Sequence, residues 1–221
     1  MKHKLIFIEG PKGVGKTRAL SGLNNPEHPL FDCNTSGEPW NHEIGYYAHG
    51  SDPTTQAMLY TADRRAHMRW ITEWMRSDPV ICDRGPLSTM VYQGLVGGVD
   101  LDWLLALNGV AMEGVKVDAT ILLYAPFETT IERIAARDKE MTQLEEGQLR
   151  AAWLEEGQLR AAWEAYESLR LGAHDANGHL QHFVEKWKDL TGWIHFIDAN
   201  RPVDQVEADV MSTIDRILEV E

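Results

Sequence analysis

Nine consecutive residues, Glu9-Gly10-Pro11-Lys12-Gly13-Val14-Gly15-Lys16-Thr17, contain the pattern G-x-x-x-x-G-K-[ST]. Each part of it answers a need of polyphosphate chemistry. Gly10, Gly13 and Gly15 let the backbone N–H groups of the loop, Lys12 and Val14 included, turn inward around phosphate oxygens. Lys16 brings a positive charge to the β- and γ-phosphates, and the Thr17 hydroxyl can ligate Mg²⁺. The loop follows the apolar run Leu5-Ile6-Phe7-Ile8 and precedes a helical stretch at 17–23. That helix would direct its N-terminal dipole at the phosphates. The reading is a nucleoside triphosphate site that takes Mg-ATP.

A second group of residues suits an acceptor. The run Val80-Ile81-Cys82 ends in Asp83-Arg84, and ligands of open α/β sheets gather where strands end. Asp83 could hold Mg²⁺ through water or accept a proton, and Arg84 could clamp phosphoryl oxygens. On a helical stretch at 54–75, Tyr60, Arg64 and His67 recur at i, i+4 and i+7 and form one stripe. A ring beside a guanidinium suits a pyrimidine, one stacking on the base and the other donating to its carbonyls. On the same helix Leu59, Ala62, Ala66 and Trp70 are expected to face the core.

The elements that must position these residues are also legible. Apolar β-rich runs at 4–9, 30–33, 80–83, 119–124 and 194–198 alternate with helical stretches at 17–23, 54–75, 87–95, 101–108, 127–137, 203–218 and a long one within 144–171. Such alternation predicts βαβ units, a parallel sheet and the α/β class. At 221 residues, with no linker-like segment, the chain is expected to be one domain over 1–221. Its formal charge of −13 argues against a general affinity for nucleic acid. A local basic cleft remains, because Lys12, Lys16, Arg18, Arg64, Arg84, Arg133 and Arg137 all fall in segments placed around the site. No apolar run is long enough to span a membrane, and no signal-peptide core is visible. Two cysteines, Cys33 and Cys82, suit neither a disulfide framework nor a zinc site. A cytoplasmic location is therefore expected.

Residues 144–153 read LEEGQLRAAW, and residues 154–163 repeat them letter for letter. The copy spans about 2.8 helical turns and about 15 Å. Gly147 and Gly157 each weaken helix by about 1 kcal/mol. This acidic, interrupted segment is expected to be a mobile cover rather than core.

The order of these features resembles the thymidylate kinase family over most of the chain outside the repeat. Leu59-Tyr60-Thr61-Ala62-Asp63-Arg64 is similar to its base-reading helix, and Asp83-Arg84-Gly85-Pro86-Leu87-Ser88-Thr89-Met90-Val91-Tyr92-Gln93-Gly94 to its D-R-x-x-x-S-x-x-x-Y-Q-G stretch. Ile197-Asp198-Ala199-Asn200-Arg201-Pro202 is similar to the loop the family sets against adenine. The resemblance implies a P-loop three-layer sandwich, a five-stranded parallel sheet flanked by helices, a helical lid over about 138–172 and a homodimer. It implies that Tyr60 stacks on a thymine-like base, that Arg64, Ser88, Thr89 and Gln93 surround its edge, and that Tyr92 bars a ribose 2′-OH. Arg84 would bind phosphate and Asn200 would lie by the adenine. Gly13, where other members carry an arginine, implies catalytic arginines in the lid. Arg133 and Arg137 match the lid-entry positions, with Arg150 or Arg160 as further candidates.

Two departures bear on the acceptor. Lys12 stands where the family has the acid that receives the sugar 3′-OH, and a lysine cannot accept that bond. Gly37-Glu38-Pro39-Trp40-Asn41 replaces the family's R-E-P-G-G, so a phosphate-gripping arginine is missing and Trp40 brings an indole to the substrate. A thymine-like deoxynucleotide, dTMP or 5-hydroxymethyl-dUMP, is the expected acceptor. Two alternatives stay open. Glu38-Pro39 resembles the pair in deoxynucleoside kinases, whose glutamate takes a proton from a hydroxyl. Relatives in bacteriophages with modified DNA phosphorylate 5-hydroxymethyluracil within DNA, which requires the base to be flipped out or single-stranded. That reading would put the chain in a host cytoplasm.

Overall fold

The run Leu5-Ile6-Phe7-Ile8 becomes strand β1 (Leu5–Glu9), buried along its whole length, as a central parallel strand must be. Helix α1 (Lys16–Ser21) starts directly out of the glycine-rich loop, and α2 (Pro53–Trp74) starts at Asp52, whose carboxylate accepts from the N–H groups of Thr54 and Thr55. Strand β2 (Val80–Asp83) leads into α3 (Pro86–Thr89), which continues without a break as a π-helical segment, Met90–Val96. Then follow α4 (Leu101–Ala111), β3 (Ala119–Tyr124), α5 (Phe127–Thr142), α6 (Glu156–Leu171), α7 (Lys188–Thr191), β4 (Trp193–Asp198) and α8 (Val203–Glu219). This computed structural model describes residues 4–21, 44, 47–48, 50–142, 156–171 and 186–219.

All strand pairs are parallel, in the order β2-β1-β3-β4. The described sheet has four strands rather than the five expected; the run at 30–33 lies outside the described residues. Alternating side chains divide the core. Ile6, Ile8, Ile81, Ile121 and Leu123 pack with Val206, Val210 and Ile214 of α8, while Leu5, Phe7, Val80 and Cys82 pack with Met68 and Ile71 of α2. With helices on both faces, the chain is a three-layer α/β sandwich. The register pairs Ile8 with Asp83, Glu9 with Leu122, and Tyr124 with Asp198, so the loop after each strand opens on one edge of the sheet.

Three expectations change on the structure. The inward face of α2 carries Ala57, Thr61, Met68 and Ile71, with Arg64 beside them, whereas Ala62, Ala66 and Trp70 face outward. Alanines bring too little apolar area to decide which face is covered; Met68 and Ile71 decide it. The stretch expected as ordinary helix at 87–95 contains the π-helical turn. Such turns are uncommon and are frequent at functional sites. Finally, the end of the second repeat copy packs against the rest of the domain at Ala162 and Trp163. Helix α6 buries Ala162, Tyr166 and Leu169 at i, i+4 and i+7, and the Trp163 indole donates to the Ala125 carbonyl at 2.8 Å. An apolar stripe at helical spacing outweighs the cost of the glycine at its start. The first copy lies outside the described residues.

Candidate active site

The glycine-rich loop wraps the end of β1, and Gly10, Gly13 and Gly15 all have positive φ. Gly13 is the tightest point. A Cβ there would sit 2.4 Å from the Thr130 carbonyl oxygen and 2.8 Å from Ile134 Cγ1, so no side chain, an arginine included, fits. Lys16 is buried and donates from Nζ to the carbonyls of Gly10 at 2.8 Å and Pro11 at 3.1 Å. Burial, and after it the nearby Arg84, push its ammonium down to about pKa 7, against the opposing pull of Asp83 and Glu9. An anion held by the loop would reverse that balance.

Asp83 and Arg84 stand beside the loop because β2 pairs with β1; the Arg84 N–H donates to Ile8 at 2.9 Å. Arg84 has a φ of 66°, a left-handed backbone that costs a non-glycine residue about 1–2 kcal/mol. The strain aims its side chain. Nη1 donates to Ser88 Oγ at 2.9 Å, and the guanidinium lies 5.5 Å from the Tyr92 ring centroid. Burial opposes its charge, but Tyr92, Tyr166, Glu9 and Asp83 outweigh that and raise its pKa above the ordinary arginine range. The Tyr92 hydroxyl accepts from the Lys12 N–H at 3.2 Å, tying the loop to the π-helical segment Met90–Val96.

Glu9 was not among the residues the sequence singled out, yet it organises this corner. Its carboxylate is 0 % exposed. Oε1 accepts from the N–H groups of Gly85 at 2.7 Å and Ser88 at 3.0 Å, at the start of α3. Oε2 accepts from Ser88 Oγ at 2.7 Å and the Tyr166 hydroxyl at 3.1 Å. Strand β1, helix α3 and helix α6 therefore meet on one carboxylate, which also stands among the cations Lys16, Arg84 and Arg64. The sequence did carry a signal: an acid closing a wholly apolar strand. Removing a buried carboxylate from its partners costs about 3–5 kcal/mol. Glu9→Ala is expected to lose that much in urea unfolding; a loss below about 1 kcal/mol would show that the network does not hold the corner together.

Next to this node α2 packs against α3. Arg64 donates from Nη2 to the Gly85 carbonyl at 3.0 Å and Thr89 Oγ1 at 3.1 Å, and burial lowers its pKa to about 10. Tyr60, one turn earlier, is 37 % exposed, and its hydroxyl is raised above its usual range by burial, with Arg84 pulling the other way. Gln93 is buried and held by Gln56, Nε2 to Oε1 at 3.0 Å. On the far side, Arg133 donates to the carbonyls of Val14 at 2.9 Å and Ala199 at 2.9 Å, and Thr129 Oγ1 donates to Asn200 Oδ1 at 3.2 Å. Arg133 thus joins the loop to the segment containing Asn200.

Most of the expected residues come together in this way: Lys16, Thr17, Asp83, Arg84, Ser88, Thr89, Tyr92, Gln93, Tyr60, Arg64, Arg133 and Asn200. Arg137 is exposed, one turn beyond Arg133. The Arg160 guanidinium lies over the Phe127 ring, 4.0 Å from its centroid. Glu38 and Trp40 fall outside the described residues. Among the described residues no cluster of three or more acidic, histidine or cysteine side chains could hold a metal. The donor set fits Mg²⁺ even so. That ion keeps most of its waters and takes one or two protein oxygens beside phosphates, and the exposed Thr17 hydroxyl and the Asp83 carboxylate would supply them. No helix among the described residues is long and apolar enough to cross a membrane.

The arrangement sets a glycine-rich loop of the anion-binding kind across Arg84 from the Tyr60 ring and the Arg64 guanidinium, which suits phosphoryl transfer between two nucleotides. Comparison with known proteins agrees. The family model for thymidylate kinase matches residues 8–160, more than half of the chain. Among curated relatives, a protein named thymidylate kinase from Caldicellulosiruptor saccharolyticus is 33 % identical over 150 residues, covering 63 % of this chain and 73 % of the relative. With a match that runs from β1 through α2 and α3 into α6, the chain belongs to the thymidylate kinase family, whose members are ATP-dependent nucleotide monophosphate kinases.

Proposed function

We propose that this protein transfers the γ-phosphoryl group of Mg-ATP to the 5′-phosphate of a thymine-like deoxynucleotide, dTMP in the first instance. An acceptor phosphate oxygen forms the new bond to the γ-phosphorus, and the bond from that phosphorus to the bridging β–γ oxygen breaks, releasing ADP. Lys16 neutralises the transferring group, and Thr17 and Asp83 would hold Mg²⁺, which would supply charge neutralisation for the phosphates. Arg84 faces both substrates and aligns them. Tyr60 stacks on the base, and Arg64 and Thr89 meet its edge. Arg133 and Asn200 face the donor nucleoside. The observation that carries this reading is the position of Arg84: its backbone is bonded to the loop strand and its side chain to Ser88 of α3.

Lys12 bears on which thymine-like acceptor is preferred, since it puts a cation on the loop where the family has an acid. The test is incubation with γ-labelled ATP and, separately, dTMP, 5-hydroxymethyl-dUMP, thymidine and an oligonucleotide containing 5-hydroxymethyluracil. Label in dTMP, lost when EDTA is added, is the expected result. Label confined to thymidine or to the oligonucleotide would replace this acceptor with a hydroxyl.

A further inference from the structure

Asn108 lies on α4 and is fully buried. Its amide is oriented by its surroundings: Nδ2 donates to the Leu104 carbonyl at 2.8 Å and approaches Met90 Sδ at 3.6 Å. Oδ1 is thereby turned toward α2, where it accepts from Arg64 Nη1 at 2.5 Å. The two Arg64 bonds from Nη2, to Gly85 and Thr89, come from another side. Three acceptors, two at the ends of α3 and one on α4, define the plane of the guanidinium.

All three are uncharged. Arg64 is partly buried, and Glu9 and Asp63 act on it without a direct hydrogen bond among the described residues. Arg64 therefore stays a cation whose remaining donors are presented in a set orientation. A guanidinium on a long stem otherwise loses rotamer freedom when it binds, and that loss weakens affinity. An orientation imposed before the ligand arrives removes it.

We infer that Asn108 is a positioning residue for acceptor recognition: it locks Arg64 in the plane that reads a base carbonyl. The inference rests on the reading of Arg64 as the base contact. It predicts a split between kinetic constants. Asn108→Ala removes a bond to a charged donor, and KM for the nucleotide acceptor rises about tenfold, with kcat within about twofold and KM for ATP unchanged. Asn108→Asp keeps an oxygen in the same place, so its acceptor KM stays closer to that of the unsubstituted protein.

The experiment measures both constants for both variants and, in the nucleotide-free protein, the ¹⁵N guanidinium resonances of Arg64, identified by their absence in Arg64→Lys. A held guanidinium gives separate, slowly exchanging signals; Asn108→Ala is expected to average them and Asn108→Asp to keep them. Unchanged acceptor KM and unchanged signals in Asn108→Ala would overturn the inference. So would a rise in both KM values that Asn108→Asp shares, since that reports general loosening. The resonances need no substrate. If the unsubstituted protein fails to phosphorylate dTMP, the acceptor reading falls while the Arg64 signals still decide the role of Asn108.

Discussion

Lys16→Ala is expected to lower turnover by at least about 10²–10³-fold, the scale on which a preorganised charge at the transferring group acts. A sharper test comes from its proton. In the nucleotide-free protein burial holds Lys16 near pKa 7. A triphosphate in the loop favours the charged form and returns the pKa toward the ordinary lysine range. At pH 8 the residue is mostly neutral before binding and charged after it, so binding takes up a proton; at pH 6 it is charged in both states and takes up none. Calorimetry in two buffers of different ionisation enthalpy reads this directly. Buffer-independent heats at pH 8 would remove Lys16 from the triphosphate site. The same shift makes a stability statement. Lys16 binds a proton more readily in the unfolded chain, where its pKa is 10.5, so its contribution to the stability of the nucleotide-free fold rises between about pH 7 and 10.5. Lys16→Met is expected to flatten that rise.

Substitution at Arg84 should separate stability from activity. Arg84→Ala and Arg84→Gly both remove the guanidinium proposed to align donor and acceptor, and both should lose about 10²–10³-fold in kcat. Their stabilities should differ in a set direction. Position 84 has a φ of 66°, which glycine adopts without strain and alanine does not. The glycine variant is expected to exceed the alanine variant by about 1 kcal/mol in urea unfolding. Equal stabilities would mean that the backbone relaxes once the side chain is gone, so that the strain belongs to the Arg84 contacts rather than to the turn between β2 and α3. Turnover retained in either variant would end the case for Arg84 as the aligning group.

The pattern around Gly10 to Thr17, the acid-arginine pair at Asp83-Arg84 and the spacing of Tyr60 and Arg64 are local. Each depends on residues within a few turns or on the end of one apolar run, so periodicity and composition expose them. The strands were legible for the same reason: parallel strands buried on both faces are continuous apolar stretches, and β2 and β3 begin and end where those stretches do. Less visible was everything that depends on which partner a side chain meets. Glu9 is one acid among many until β1 is placed against α3 and α6. Asn108 is one polar residue in an apolar helix until Arg64 reaches it across 44 positions of sequence. The π-helical turn at Met90–Val96 and the docking of α6 through Trp163 and Tyr166 likewise follow from packing, which propensity does not encode. Short-range chemistry is written in the order of the residues. Long-range hydrogen bonds and burial arise from distances between segments, and those exist only once the sheet and its helices have closed around each other.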